Sequence, residues 1–199
     1  MSNKINKADV TGVILAGGQA RRMEGQDKGL VLLNKKPMIE YVIEALKPQV
    51  GSLLINANRN HDKYLEYGFD IVSDELSGYH GPLAGMASSL NKIQTPYMLT
   101  APCDSPFIPD NLAQRLMTSL ETEDADISVA HNGERMQPVF CLMKKELILS
   151  MNDFLSQGER KIDKWFKQHA LAITDFSDIP KTFDNLNTIE DIKSVESSL

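Results

Sequence analysis

Residues 11–30 read TGVILAGGQARRMEGQDKGL, and the order of chemistry in them decides how the rest of the chain is read. A short apolar run, Val13, Ile14, Leu15 and Ala16, drops into Gly17 and Gly18. Arg21, Arg22 and Lys28 follow in a loop that carries a further glycine, Gly25. A strand that ends in a glycine turn and a basic loop suits a bound phosphate chain. Glycine lacks Cβ, so the backbone there can take up positive φ and bring its N–H groups against an anion, while arginine and lysine add full charges. The spacing is neither Gly-x-Gly-x-x-Gly nor a Walker loop, because the lysine followed by serine or threonine that closes the latter is missing after Gly18.

Outward from this loop the pattern repeats. Residues 31–33 are a short apolar run. Pro37 then opens a helix in which Met38, Tyr41, Val42, Ala45 and Leu46 recur at helical spacing, and Pro48 closes it. Residues 52–55 read as a buried strand ending at Asn56, 61–67 as a weaker helix, and 69–72 as a strand ending at Ser73 and Asp74. A glycine-rich turn at 78–81 leads into a helix with Leu83, Met86, Ala87 and Leu90 on one face. Residues 97–101 form the next strand, running into Pro102-Cys103-Asp104, and a helix follows from about 109 to 120.

Strands alternating with amphipathic helices indicate parallel strands joined by crossover helices. The expected fold is α/β: a three-layer, doubly wound, Rossmann-like, mostly parallel sheet with helices on both faces. Ligands of such sheets gather outside the carboxyl ends of the strands. The Gly17 loop, Asn56, Asp74 and Asp104 each follow a different predicted strand directly, so they should converge on one edge.

The second part is less regular. Residues 127–130 and 139–142 read as strands, as a ribbon around a turn at 131–137, and a helix passes through Leu147, Met151, Phe154 and Leu155. Gly158 interrupts it, 160–169 reads as another short helix with the single tryptophan, Trp165, and 171–174 as a strand. Thr188 and Asp191 form a capping pair for a last helix, since a hydroxyl and a carboxylate three residues on satisfy its first N–H groups. No repeat or linker divides the chain. One domain over 10–199 is expected, after a polar segment 1–9 read as flexible.

The totals exclude several function classes. A hydrophobic share of 42% in 199 residues is ample for a buried core. With 21 basic against 27 acidic residues, a net charge of −6 argues against broad nucleic-acid binding and leaves small anions to local basic side chains. No apolar run nears the roughly 18 residues of a membrane span, and no signal-peptide pattern opens the sequence, so a soluble, cytoplasmic protein is expected. Cys103 and Cys141 form no close pair, and His61, His80, His131 and His169 form no ligand motif. Zinc and disulfide readings therefore lack support, and both thiols read as small buried residues in a reducing compartment.

Individual polar residues each carry two readings. Asp104 at a strand end near phosphates can hold Mg²⁺, which takes oxygen ligands from one or two carboxylates, phosphates and water; alone, it could equally cap the following turn. Lys28 is a phosphate contact or a solvated surface lysine. Asn56 and Asp74 suit ordinary strand-end turns as well as a ligand.

A family resemblance tips these balances. Leu15-Ala16-Gly17-Gly18, then Arg22-Met23, then Asp27-Lys28-Gly29-Leu30 resemble the signature loop of the molybdenum cofactor guanylyltransferases, the MobA family, within the nucleotidyltransferases that build NDP-sugars and similar diphosphates. The family usually has two glycines after Arg-Met, where this chain has Glu24 and Gly25. The resemblance continues through Gly81-Pro82-Leu83-Ala84-Gly85, RMQPVFCL at 135–142, GERKID at 158–163 and Asn185-Leu186-Asn187-Thr188, with Ile189 where proline is common.

It implies transfer of GMP from GTP to the terminal phosphate of molybdenum-bearing molybdopterin, giving the guanine dinucleotide and pyrophosphate. It further implies catalytic roles for Asp104, Lys28 and Arg22, with Mg²⁺ on Asp104. Ligand contacts would come from Leu15, Ala16, Gly17, Gly18, Gly25, Lys28, Asn56, Asp74, Gly81, Gly85 and Asp104, with Asn56 and Asp74 toward the guanosine and Asn185 and Asn187 toward the pterin. GTP and molybdopterin are the implied small-molecule partners, and molybdoenzyme chaperones or other cofactor-biosynthesis proteins the protein partners. No nucleic acid or membrane enters, and a monomer is expected. A relative specific for CTP carries Leu-Ala-Ala-Gly where this chain has Leu15-Ala16-Gly17-Gly18, which favours GTP. Two rival readings stay open: a nucleotidyltransferase using CTP or a sugar 1-phosphate, and a non-catalytic nucleotide-binding module, against which Asp104 counts.

Overall fold

In this computed structural model, which describes residues 4–18, 27–75 and 81–197, the elements follow in the order β1 (Val10–Leu15), β2 (Leu32–Leu33), β3 (Lys36–Pro37), α1 (Met38–Leu46), β4 (Ser52–Asn56), α2 (His61–Leu65), β5 (Asp70–Val72), α3 (Pro82–Lys92), β6 (Tyr97–Pro102), α4 (Leu112–Thr122), β7 (Ile127–His131), β8 (Met136–Lys144), α5 (Ile148–Ser156), α6 (Ile162–Phe166), β9 (Leu171–Asp175) and α7 (Ile189–Glu196). Seven strands make one sheet in the order β5-β4-β1-β6-β8-β7-β9. Every pairing is parallel except the two made by β8, so the sheet is mostly parallel as the alternation of strands and helices implies.

Alternate strand residues point to opposite faces, and the two faces carry separate cores. Ile14, Ile55, Leu99 and Leu142 pack with Ile39, Val42 and Leu46 of α1 and Leu112 and Leu116 of α4. Val13, Leu54, Met98 and Met143 pack with Leu83, Met86 and Leu90 of α3, Met151 and Phe154 of α5, and Trp165 and Phe166 of α6. The result is the three-layer arrangement. A smaller cluster of Leu33, Met38, Leu186 and Ile192 seats α7 against α1.

Register fixes where ligand-facing groups can gather. Leu15 pairs with Asn56 on one side and Pro102 on the other, and Asn56 pairs with Val72. The carboxyl ends of β1, β4, β5 and β6 are therefore level, and the next residues of all four leave the sheet side by side.

Three local readings change. The stretch before β1, read as flexible, is tied down from Ile5 onward: Ile5 is buried, its N–H donates to Glu121 Oε1, and Lys7–Asp9 form a turn capped reciprocally by Asn6 and Asp9. Strand β8 is about twice the expected length and contains Pro138, a residue that argues against a strand from sequence. Proline cannot donate to the ladder, and the pairing accommodates it by a bulge: Val129 pairs with Cys141 but Ala130 with Gln137. Helix α6 covers five residues, fewer than the 160–169 expected, because Gln168 and His169 donate three residues back, to Trp165 and Phe166, and close the helix as turns. The capping box of α7 is present as expected, with Asp191 N–H donating to Thr188 Oγ1 at 3.1 Å and Thr188 N–H to Asp191 Oδ2 at 2.8 Å. No helix among the described residues is long and apolar enough to cross a membrane.

Candidate active site

Two clusters stand on the level strand ends. The first is at the end of β6. Asp104 is 8% exposed, and its Oδ2 accepts from Lys28 Nζ at 2.9 Å; the same ammonium donates to Asn187 Oδ1 at 2.5 Å. Lys28 opens a one-turn 3₁₀ segment, Lys28–Leu30, that follows the basic loop in sequence. Asn187 arrives from the segment before α7, which is stitched to the β6 end twice: Leu186 N–H donates to Asp104 O at 2.9 Å and Ser105 Oγ to Asn185 Oδ1 at 2.5 Å. The Asp191 carboxyl accepts from the Asn187 and Thr188 N–H groups, and the Asn187 bond foremost holds it below the usual carboxylate range. Cys103 is fully buried beside Asp104. Burial first, then the charges of Asp104 and Asp27, push its thiol well above its ordinary pKa.

The second cluster lies at the ends of β4 and β5. Asn56 Nδ2 donates to Asp74 Oδ1 at 2.9 Å and to Val72 O at 3.0 Å, Asn58 Nδ2 donates to Asp74 Oδ2 at 2.9 Å, and Asp74 N–H returns a bond to Asn58 Oδ1 at 2.8 Å. The carboxylate is thus oriented by one amide on each oxygen. Helix α3 approaches through Gly85, and its missing side chain makes the approach possible: a Cβ there would overlap Asn56 Oδ1, 2.9 Å from Asn56 Cγ and 3.2 Å from Leu15 Cδ2. Gly81, at φ 72°, precedes the helix, with Pro82 at its first position.

Between the clusters runs the backbone leaving β1. Leu15 O accepts from Cys103 N–H at 3.1 Å and Ala16 N–H donates to Asn56 O at 2.8 Å, so Leu15 and Ala16 are clamped between the two neighbouring strand ends. Gly17 and Gly18 are not among the glycines at positive φ. The expected conformational reason for them gives way to a spatial one: a Cβ on Gly17 would sit 2.8 Å from Asn58 Nδ2, while a Cβ on Gly18 would meet nothing within 4 Å.

Of the residues singled out from the sequence, Leu15, Ala16, Gly17, Gly18, Lys28, Asn56, Asp74, Gly81, Gly85, Asp104, Asn185 and Asn187 all lie at this edge or on segments hydrogen-bonded to it. Arg22 and Gly25, with Arg21 and Glu24, lie outside the described residues. Asn58, Arg59, Tyr64 and Ser105 carry no role in the sequence reading, and Asp27 enters it only as part of the signature stretch. The dense polar run Asn56-Ala57-Asn58-Arg59-Asn60 directly after a strand is the one signal that pointed toward some of them.

A strand that ends in a glycine pair, a lysine on the aspartate at the neighbouring strand end and an amide-oriented carboxylate three strands from that aspartate suit a nucleotidyltransferase of the α/β type. The description MobA-like NTP transferase domain matches residues 12–173. The molybdenum cofactor guanylyltransferase of Shewanella sediminis is 50% identical over 190 residues, 96% of this chain and 97% of that one. That of Shewanella putrefaciens is 52% identical over 182 residues, 92% and 93% of the two chains. Among solved structures, the molybdopterin-guanine dinucleotide biosynthesis protein A of Archaeoglobus fulgidus superposes with a TM-score of 0.80 at 21% identity, over 94% of this chain and 97% of that one, a likeness of fold. The chain belongs to the MobA-like NTP transferase family.

Proposed function

We propose that this protein transfers GMP from GTP to the terminal phosphate of molybdenum-bearing molybdopterin, forming the guanine dinucleotide and releasing pyrophosphate. The observation that carries the reading is the Lys28, Asp104 and Asn187 junction at 2.9 and 2.5 Å, level with the Asn56–Asp74 pair on the far side of Gly17. A nucleotide laid along this edge meets Asn56 and Asp74 with its guanosine, the backbone of 15–18 with its phosphates, and Lys28 with its charged end, while Asn185 and Asn187 face the pterin. Arg22 and Gly25 belong to the phosphate side of the same reading.

The chemistry is in-line displacement. An oxygen of the acceptor phosphate attacks the α-phosphorus, a P–O bond forms, and the bond to pyrophosphate breaks with its electron pair leaving on pyrophosphate. The acceptor is already an anion near neutral pH, so the protein's task is positioning and charge neutralisation rather than proton removal. Lys28 supplies one full charge, and the backbone N–H groups near Gly17 supply directed donors. Among the described residues no group of three or more His, Cys, Asp or Glu side chains could cage a metal. One buried carboxylate, completed by phosphate oxygens and water, is nevertheless the donor set that Mg²⁺ accepts, so Asp104 fits as its protein ligand. When bound there, Mg²⁺ would offset negative charge at the reacting phosphate.

The glycine at 17, where Leu-Ala-Ala-Gly has its alanine, supports GTP over CTP, since a Cβ there would press on Asn58 Nδ2 at 2.8 Å, one of the amides that orient Asp74. The same reading has the enzyme acting as a cytoplasmic monomer that passes its product to cofactor-inserting proteins. The test is product analysis with molybdopterin and each of the four NTPs: a guanine dinucleotide and pyrophosphate are expected from GTP well ahead of the others. A cytosine dinucleotide formed equally fast in direct competition would overturn the choice of base, and GTP binding without pyrophosphate release would favour a binding module.

A further inference from the structure

The Asp27 carboxylate stands outside the junction just described, yet it is 8% exposed and fully engaged. Oδ1 accepts from the Tyr64 hydroxyl at 2.6 Å; Oδ2 accepts from Asn60 Nδ2 at 2.9 Å and faces Arg59 Nε at 3.4 Å. A buried carboxylate costs several kcal/mol unless it is paired and hydrogen-bonded, so a set of partners this complete holds residue 27 in one place. Arg59 does more than neutralise it. Its Nη2 also donates to Gly18 O at 3.4 Å, so one guanidinium touches Gly18 and Asp27 together, the residues that bracket 19–26.

Two further facts connect this cluster to Lys28. Asp27 O accepts from Leu30 N–H at 2.9 Å and begins the turn that presents Lys28. Gly29 packs against the Tyr64 hydroxyl: a Cβ on it would lie 2.7 Å from Tyr64 Oη and 3.3 Å from Cys103 Cβ. The residues on both sides of Lys28 are therefore fixed by Tyr64, Asp27 from its carboxylate and Gly29 by close approach. Burial raises the Tyr64 pKa far above its ordinary value, which keeps the hydroxyl a donor at any working pH.

We propose that Asp27, Arg59 and Tyr64 are positioning residues that clasp the two flanks of the phosphate loop and hold Lys28 in register with Asp104 and Asn187 for the nucleotide. The inference rests on the reading of this edge as a GTP site. It predicts that the clasp acts through Lys28, whereas a merely structural bond between α2 and the loop would act independently of it.

A double-mutant cycle separates the two. Tyr64→Phe keeps the buried ring and removes the donor to Asp27. Arg59→Ala removes the bridge to Gly18 and serves as a second route if Tyr64→Phe folds poorly. Each is combined with Lys28→Ala and checked by a melting curve. GTP affinity is measured by calorimetry without acceptor, and turnover with molybdopterin is measured in parallel. Each single change is expected to weaken GTP binding about tenfold and to leave the molybdopterin KM unchanged; in the Lys28→Ala background the further loss should be under about twofold, the signature of coupled residues. Arg59→Lys should restore little, because one ammonium lacks the fork that reaches both Gly18 O and Asp27. Full multiplication of the single effects, or single variants that bind GTP like the wild type, would overturn the clasp. Coupling in GTP affinity from a wild type that makes no guanine dinucleotide would sustain the clasp and count against the proposed reaction.

Discussion

The two halves of the sheet are built for different purposes. On one side, β5, β4, β1 and β6 run parallel and end level, and the residues beyond their ends are charged or amide side chains that bond one another: Asp74 with Asn56 and Asn58, Asp104 with Lys28. On the other side β8 reverses direction, and its pairing with β6 stops at Thr100, short of the carboxyl edge. Polar groups there satisfy each other inside the layers, as Ser128 and Thr174 do at 2.6 Å, and the dominant contacts are aromatic: Phe140 and Phe176 both set edge-on to Phe183, and Trp165 against Phe166 and His169. Among the described residues, the second half reaches the candidate site by delivering Asn185 and Asn187, pinned through Leu186 N–H to Asp104 O. A strand end that is level with its parallel neighbours collects chemistry; a reversed strand supplies packing.

If that division is sound, the largest effect on stability should come from the packing half and leave catalysis alone. Trp165 is fully buried, with its Nε1–H donating to Ser150 Oγ at 3.2 Å. Trp165→Ala should cost about 3–5 kcal/mol of stability, read by denaturant melts, while turnover per folded molecule at low temperature stays within about twofold of wild type. A variant that melts normally but has lost turnover would show that α6 reaches the chemistry and would break the comparison.

The converse change belongs to the other half. Asp104→Asn keeps the side chain's size and one oxygen but removes the anionic partner of Lys28 and the anionic ligand proposed for Mg²⁺. Turnover is expected to fall by at least about 10²-fold, the scale of one lost electrostatic contact to the transition state, with GTP affinity only modestly lower because Lys28 and the backbone near Gly17 remain. Affinity, turnover and a melting curve on one preparation decide it. A folded Asp104→Asn protein with near-normal turnover would leave Asp104 as a bracket for Leu186 and Lys28.

How legible each half was in the sequence follows from the same physics. Parallel strands buried on both faces are near-continuous apolar runs, so β4 and β6 are readable to within a residue, as are the polar residues that follow them, whereas β1 begins at Val10, three residues before the apolar run that marks it, because Thr11 and Gly12 break that run. Strand β8 was half read because a proline inside a strand ordinarily argues against one, and only the bulge opposite Val129 and Ala130 reconciles it. The clasp was not legible at all: Tyr64 and Asn60 stand 37 and 33 residues from Asp27, and no periodicity links a residue on α2 to one beside the loop. Asn185 and Asn187 carried no signal beyond the family resemblance, since their place depends on a coil segment that crosses to the β6 end.

The smallest expected effect is also the sharpest probe of the boundary between packing and chemistry, because it concerns a residue inside a helix that makes room for a site side chain. Gly85 lies in α3, where glycine is less favourable than alanine by about 0.8–1.0 kcal/mol on intrinsic helix propensity. A Cβ at this position would overlap Asn56 Oδ1, and Asn56 is the side chain whose amide orients Asp74 at 2.9 Å. Gly85→Ala therefore sets two effects against each other: a helix that gains intrinsic stability, and an amide that must rotate away from its partner. The contact at Asn56 is a buried terminal amide with no long flexible reach, so it cannot yield by the small shift an exposed side chain would make. Misplacing one buried hydrogen-bonded group costs about 1–3 kcal/mol, so GTP affinity is expected to fall about tenfold or more, while the melting temperature moves little and turnover at saturating GTP stays near normal. Asn56→Ala should lower affinity similarly, and adding Gly85→Ala to it should cost little more, since the obstructed group is gone. If Gly85→Ala instead lowers the melting temperature and leaves GTP affinity unchanged, the glycine serves only the packing of α3 on β1, and the functional edge begins one layer farther out than the Asn56 side chain.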